Sequence, residues 1–176
     1  MAPFASPHIT LEQWQSGEKT DVDVFEDQYR SWSIEQARLL APGEHSGPAI
    51  LTLLTPLFEA LAQYLRGRSS RGDEPGFLRA GLEAVFPDVE NSARELYVKE
   101  VRHGLAHEAM FRRVLLHRGL AGQPDFGIQG DVLVVNPWWV LERTEQFFDH
   151  YVALLRRGEP EMLARFEAFM RVRKQR

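Results

Sequence analysis

The sequence predicts an all-α fold, a bundle of four to five helices with a small β-hairpin insert after the helix that carries the candidate site. Apolar residues recur at helical spacing through most of the chain, as in 50–65 and 138–155. Proline and glycine separate these stretches where helices are expected to begin and end. Between about 111 and 135 the composition changes to the β-branched, short-run pattern of strands.

Four helices are predicted before this change of pattern, at 21–41, 48–67, 74–86 and about 90–107. Asp21 or Asp23 is a candidate N-cap of the first helix. Pro56 lies inside the second and predicts a kink or a break there, because proline has no N–H to donate.

The second half of the chain is predicted to contain strands and two further helices. Segments 111–116 and 126–135 favour strands, and Gly130-Asp131 favours a tight turn. Asn136-Pro137 begins a long helix that Gly158 and Pro160 end, and a final short helix covers 161–172. We predict three regions from these patterns: a flexible N-terminal arm at 1–20, one domain at 21–172 and a basic tail at 173–176.

Composition narrows the class of protein. A chain of 176 residues suits one domain, and its net charge of −4 does not favour nucleic acid overall, although a local basic patch is compatible with it. The chain has no cysteine, which excludes disulfides, thiolate metal sites and a cysteine nucleophile. We see no leader, membrane span, P-loop, dinucleotide fingerprint or zinc-protease motif, and we expect a cytoplasmic protein with no membrane contact and no cofactor.

The best candidate for chemistry is the stretch from Arg102 to His107, which also contains His103. Imidazole titrates near neutrality and guanidinium is a natural partner of phosphate, so these groups suit phosphodiester cleavage. The alternative is that the histidines are partly exposed helix residues and that Arg102 pairs with a carboxylate. The spacing of Glu100, His103 and His107 would also suit a metal, but we predict none.

A helical wheel separates the arginine from the histidines. The core-facing arc contains Tyr97, Val101, Gly104 and Leu105, and a second stripe contains Leu96, Glu100, His103 and His107. Arg102 lies on neither. A site that uses Arg102 and His107 together therefore needs a helix that ends near His107, or a second chain. Gly104 costs about 1 kcal/mol against alanine in a helix, which predicts close packing at this position.

The surroundings of this stretch are locally basic. Residues 94–118 contain three acidic and six basic side chains, the latter being Arg94, Lys99, Arg102, Arg112, Arg113 and Arg118. Such a patch could attract RNA phosphates. The alternative is an ordinary solvated face.

Arg102-His103-Gly104-Leu105-Ala106-His107 resembles the Arg-x4–6-His signature of the HEPN domain family, whose members are small helical bundles. The apolar Val101 and Leu105, the aromatic later helix and the insert ending Val134-Val135-Asn136-Pro137-Trp138 are also similar to family members. The resemblance covers roughly 46–157.

The resemblance implies a metal-independent RNA endonuclease of the toxin or defence type, with two motifs paired across a homodimer. Arg102 and His107 would be the catalytic pair, and His103 would occupy a position where asparagine is common. Other members of the family are not enzymes and bind nucleotide, RNA or a partner protein. A nucleotidyltransferase or an antitoxin is therefore an expected partner, and whether the chain is an enzyme stays open.

Overall fold

The structure, a computed structural model, describes residues 3–108 and 110–174, with the side chains of Ala106 and His107 outside that description. Within these residues there are seven helices and two small sheets with five strands in total. The prediction of an all-α bundle of four to five helices is therefore wrong. The physical reason is that the N-terminal segment forms further elements and that strands enter the core.

The helices are α1 (Leu11–Gln15), α2 (Asp21–Tyr29, a π turn Arg30–Ile34, and Glu35–Leu40), α3 (Gly47–Arg66), α4 (Glu74–Val85), α5 (Asn91–Tyr97, a π turn Val98–Arg102, and His103–His107), α6 (Pro137–Arg157) and α7 (Pro160–Lys174). The strands are β1 (Phe4–Ser6), β2 (Ile9–Thr10), β3 (Val114–Leu116), β4 (Phe126–Gln129) and β5 (Val132–Val135). Helices α2 to α7 were thus predicted close to their observed places, whereas α1 was not predicted.

The segment predicted as a flexible arm contains β1, β2 and α1, and it is bonded to α2. The Asp27 carboxylate accepts hydrogen bonds from the Ser6 hydroxyl at 2.5 Å and from the His8 backbone N–H at 2.8 Å. His8 Nδ1 lies 2.7 Å from the same carboxylate. At the start of α2 the N-cap is Thr20 rather than the predicted Asp21 or Asp23.

Helix α3 is the central element of the core. It continues through Pro56 without a break and ends at Gly67, whose positive φ of 67° suits glycine. By length and composition this helix could cross a membrane, but half of its apolar window is buried inside the fold, as in the core helix of a globular domain. It packs against α2, α4, α6 and α7.

Aromatic rings join the helices in two clusters. Phe25 is the centre of the first, with the rings of Tyr64 at 4.5 Å and Phe166 at 5.3 Å. In the second, Phe86 lies 5.4 Å from Phe126 and 5.5 Å from Trp139. Such tilted and stacked pairs add to the stabilisation that burial of the rings supplies.

The second sheet has the order β3-β5-β4. The strands on either side of Gly130 pair antiparallel, as predicted, but β3 pairs parallel with β5, so the unit is not a simple hairpin. Leu133 and Val135 are fully buried, and Phe126 belongs to the second aromatic cluster. The sheet is therefore part of the core rather than an insert on its surface.

Candidate functional site

Helix α5 carries the predicted site and is not a uniform α-helix. Its middle, Val98–Arg102, is a π turn, and the α-helix resumes at His103 and ends at His107. A π turn adds a residue and rotates all later positions relative to a wheel of constant angle. Glu100, predicted on the second stripe, is buried at 9% exposure, and Val101 lies in the core as predicted.

The chain folds back across Gly104 directly after the helix. The backbone N–H groups of Glu108 and Met110 both donate to the Gly104 carbonyl, at 2.9 and 3.3 Å. A Cβ at this position would lie 2.4 Å from the Met110 carbonyl oxygen. Gly104 therefore permits a close crossing, as its place in the sequence predicted, although the neighbour is the returning chain rather than another helix.

This crossing creates an open cavity of about 480 Å³ beside α5, which we call the basic cleft, lined by Lys99, Glu100, His103, Gly104, Glu108, Arg112 and Arg113. Arg112 forms a two-point ion pair with Glu108, with both N–O distances at 2.7 Å. Arg113 lies 3.7 Å from Asp131. Both pairs are exposed, so an anion can displace them at little cost.

The wall of the basic cleft continues into the sheet. The Arg113 carbonyl accepts a hydrogen bond of 2.9 Å from the backbone N–H of Leu133 in β5. Strand β3 begins at the next residue. The position of the two cleft arginines is therefore fixed at one end by Gly104 and at the other by a buried strand.

The six basic residues of the predicted patch do not act together. Arg94 is buried and donates to the carbonyls of Phe86 and Val89, so its role is structural. Arg118 lies over the Trp138 ring, 4.8 Å from its centre. Lys99, Arg112 and Arg113 line the basic cleft, and Arg102 does not.

Arg102 lines a different cavity from the basic cleft that His103 lines. It lines a pocket of about 240 Å³, the Arg102 pocket, whose lining includes Thr52, Pro56, Glu59, Leu78, Arg102 and Leu105. Arg102 is half-buried, and among the described residues its guanidinium has no hydrogen bond and no ion pair. The pKa of Glu74 is lowered by hydrogen bonds from its own and the Gly72 backbone N–H, and further by the charge of Arg102.

The structure therefore brings His103 together with Lys99, Arg112 and Arg113, and does not bring Arg102 to the same cavity. His107 ends α5, four residues beyond His103, and its side chain lies outside the described residues. The sequence had marked Arg112 and Arg113 only as part of a basic stretch. Their place beside His103 depends on the crossing at Gly104, for which the sequence offered the glycine but not the direction of the chain.

Two further histidines have structural partners. His117 Nε2 lies 3.0 Å from the Pro124 carbonyl, and its Nδ1 accepts from the Leu120 N–H at 3.0 Å. The pKa of His8 is raised by its hydrogen bond to Asp27 and by the charge of that carboxylate. Among the side chains that the structure describes, no three of His, Asp or Glu are grouped to hold a metal ion; the alternative set of Glu100, His103 and His107 includes a side chain outside that description.

No protein-family description, no curated protein and no solved structure matches this chain. A function for it therefore has to be inferred from the chemistry of its own residues.

Proposed function

We propose that this protein is a metal-independent RNA endonuclease of the HEPN type that acts as a symmetric dimer. The observation that supports it most directly is the half-buried Arg102 guanidinium, which among the described residues has no hydrogen bond and no ion pair and interacts only through its charge, with Glu74. A cation partly removed from water without a hydrogen-bonded partner destabilises the fold unless a ligand completes it. A phosphate oxyanion is such a ligand, because it matches the guanidinium fork.

The chemistry needs no metal, since RNA carries its own nucleophile. The ribose 2′-oxygen attacks the adjacent phosphorus, and the P–O5′ bond breaks. His107 takes the proton of the 2′-hydroxyl as general base, and the imidazolium of His103 gives a proton to the leaving 5′-oxygen. Arg102 holds the charge that develops on the phosphate, and the products are a 2′,3′-cyclic phosphate and a 5′-hydroxyl.

The basic cleft would bind the flanking phosphates. Lys99, Arg112 and Arg113 project around His103, so an RNA strand crossing this helix end meets three cations. Binding through them should weaken as salt rises, because phosphate contacts release counterions. Arg113→Ala should therefore reduce the salt dependence as well as the affinity for RNA.

A second copy of the chain would bring Arg102 and a histidine together. Within one chain Arg102 and His103 open to separate cavities, so a composite site needs the partner's residues. Mixing inactive Arg102→Ala with inactive His107→Ala tests this. Their heterodimer has one intact composite site, so a 1:1 mixture should recover about a quarter of wild-type activity. No recovery on mixing, or a monomer by light scattering at micromolar concentration, would refute the composite site.

Cleavage itself is tested on an RNA pool with purified protein in chelator. We expect products with 2′,3′-cyclic phosphate ends and a loss of about 10²–10⁴-fold in His107→Ala. Arg102→Lys should also be poor, because an ammonium cannot bind phosphate at two points. His150→Ala is the matched control, since His150 is an exposed histidine on α6. Equal cleavage by His107→Ala and His150→Ala would rule out the assignment.

A second candidate is a non-catalytic module that binds RNA, nucleotide or a partner protein. The separation of Arg102 from His103 within one chain favours it. It predicts salt-dependent RNA binding that His107→Ala leaves intact, and no cleavage of any RNA pool.

We place either activity in the cytoplasm, with an antitoxin or a nucleotidyltransferase as partner. The cysteine-free composition is compatible with a reducing compartment. Cell fractionation and purification of a tagged chain would test both points. Recovery in a membrane fraction, or without either kind of partner, would count against them.

A further inference from the structure

We infer that the Arg102 pocket binds one nucleotide whose base presents two adjacent N–H donors, which among the RNA bases means guanine. The inference rests on the proposed endonuclease function and adds a base preference to it.

The walls of the pocket suit one flat ring. Pro56 on α3, Leu78 on α4 and Leu105 on α5 supply apolar surface, and Leu78 is 1% exposed. The cavity of about 240 Å³ is smaller than the roughly 300–1,000 Å³ that drug-sized ligands occupy. It therefore has room for a single base and part of its ribose, with the phosphate outside.

Opposite charges lie at separate places on the lining. Glu59 Oε1 accepts a hydrogen bond of 2.7 Å from the Ser70 hydroxyl, while among the described residues Glu59 Oε2 has no donor. Arg102 and Glu59 line the same cavity, yet they are not within the 4.0 Å of an ion pair. A ligand with an anion at one end and N–H groups at the other would satisfy both.

The other polar groups of the lining also present acceptors, because the Thr52 and Thr55 hydroxyls already donate to the Pro48 carbonyl at 2.8 Å and the Leu51 carbonyl at 2.7 Å. Pro56 has no N–H, so the Thr52 carbonyl one turn earlier lacks its usual helical donor. An ionised carboxylate and a carbonyl accept hydrogen bonds and donate none. The pocket therefore selects a base by its donors, as proteins do when they bind the Watson–Crick edge of an unpaired RNA base.

Guanine fits the Glu59 carboxylate best of the four bases. Its N1–H and N2–H groups are adjacent and parallel, so both reach one carboxylate, as in charge-assisted two-point pairs. Adenine and cytosine present an amino group next to a ring acceptor, which would face the carboxylate oxygen. Uracil presents a single imino donor between two carbonyls.

The test is calorimetric titration of the full-length protein with GMP, AMP, CMP and UMP in phosphate-free buffer. We expect GMP to bind at least about tenfold more tightly than the others, since a hydrogen bond to a charged group is worth that factor or more. Glu59→Gln keeps the shape and the bond from Ser70 but loses the charge, and it should remove this preference. Glu83→Gln is the control, because Glu83 is exposed on α4.

Arg102→Met should weaken all four nucleotides alike and leave guanosine, which has no phosphate, unchanged. RNA cleavage is measured in parallel on oligo-U with and without a single G. Equal binding of the four nucleotides, no binding of GMP, or equal effects of Glu59→Gln and Glu83→Gln would overturn the inference, even if RNA is cleaved. GMP selectivity that depends on Glu59 in a protein that cleaves nothing would instead refute the endonuclease and leave the guanine site standing.

Discussion

Arg94 and Arg102 offer a matched pair of substitutions on one helix, with opposite expected outcomes. Arg94 is buried at 9% exposure and donates to the Phe86 carbonyl at 3.2 Å and the Val89 carbonyl at 2.7 Å. Each hydrogen bond from a charged donor is worth about 1.5–3 kcal/mol, so Arg94→Met should lower the free energy of unfolding by about 3 kcal/mol or more. For a domain of this size that corresponds to a Tm lower by about 6–12 °C.

Among the described residues, Arg102→Met removes no such bond. Methionine replaces most of the apolar stem, and the lost charge is half-buried with no hydrogen bond and no ion pair to the part of the chain that the structure describes. We expect the free energy of unfolding to change by less than about 0.5 kcal/mol, or to rise. RNA cleavage should be lost and nucleotide binding weakened in the same protein, because a residue kept for function at the expense of stability behaves in this way.

Urea denaturation and calorimetry of both variants in phosphate-free buffer measure the difference, since phosphate would itself stabilise the wild type by binding. If Arg102→Met is as destabilised as Arg94→Met, Arg102 is a structural residue. If Arg102→Met is stable and fully active, the Arg102 pocket is not a phosphate site and the catalytic role of Arg102 is wrong.

Three further perturbations test other parts of the structure. Gly104→Ala places a Cβ 2.4 Å from the Met110 carbonyl oxygen, so the returning chain must move by about 1 Å. The affinity for RNA should therefore fall. The Tm should change by only a few degrees, because alanine stabilises the helix by about 1 kcal/mol relative to glycine. Leu54→Ala, at a fully buried position, should cost about 2–5 kcal/mol in urea denaturation, and a smaller cost would place Leu54 outside the core. The bond between His8 and Asp27 should stabilise the fold only where both are charged. The pKa of His8 is raised, so its contribution is full below about pH 6.5 and lost as the pH rises through the raised value. Burial opposes ionisation of Asp27, but hydrogen bonds from Ser6 and His8 lower its pKa, so its contribution is lost only in acid. The Tm difference between wild type and His8→Ala should therefore be largest near pH 5–6 and shrink towards pH 9, and a pH-independent difference would contradict this.

The helices could be predicted because their determinants are local. Apolar spacing and terminal proline or glycine fixed α3, α4 and α6 to within a few residues. The N-cap of α2 was predicted one or three residues too late, at Asp21 or Asp23, because Thr20 and Asp23 cap the helix together and either side chain alone would suit a cap.

The fold class could not be predicted, because it depends on pairing between distant segments. Strand β3 pairs in parallel with residues 133–135 of β5. Its three residues alternate in exposure, and this local pattern does not indicate which strand will lie beside them. A parallel pair needs a long connection, so its register is not set by a turn.

The candidate site was predicted in its residues and not in its geometry. The helical wheel assumed a constant rotation of about 100° per residue along the whole of α5. The π turn Val98–Arg102 departs from that rotation and changes the direction of the side chains that follow, and Glu100 within it is buried. The roles of Arg102, His103 and His107 stay predictions. Arg112 and Arg113 were missed as neighbours of His103, because a reversal of the chain brings them there.

The hydrogen bond from the Leu133 N–H to the Arg113 carbonyl makes one backbone amide a reporter of the basic cleft. Leu133 is fully buried, so its proton exchanges with solvent only when β5 and the wall carrying the cleft arginines separate. An anion that holds Arg112 and Arg113 in place should suppress this local opening. Hydrogen–deuterium exchange at that single amide would then measure occupancy of the cleft without a substrate or a turnover.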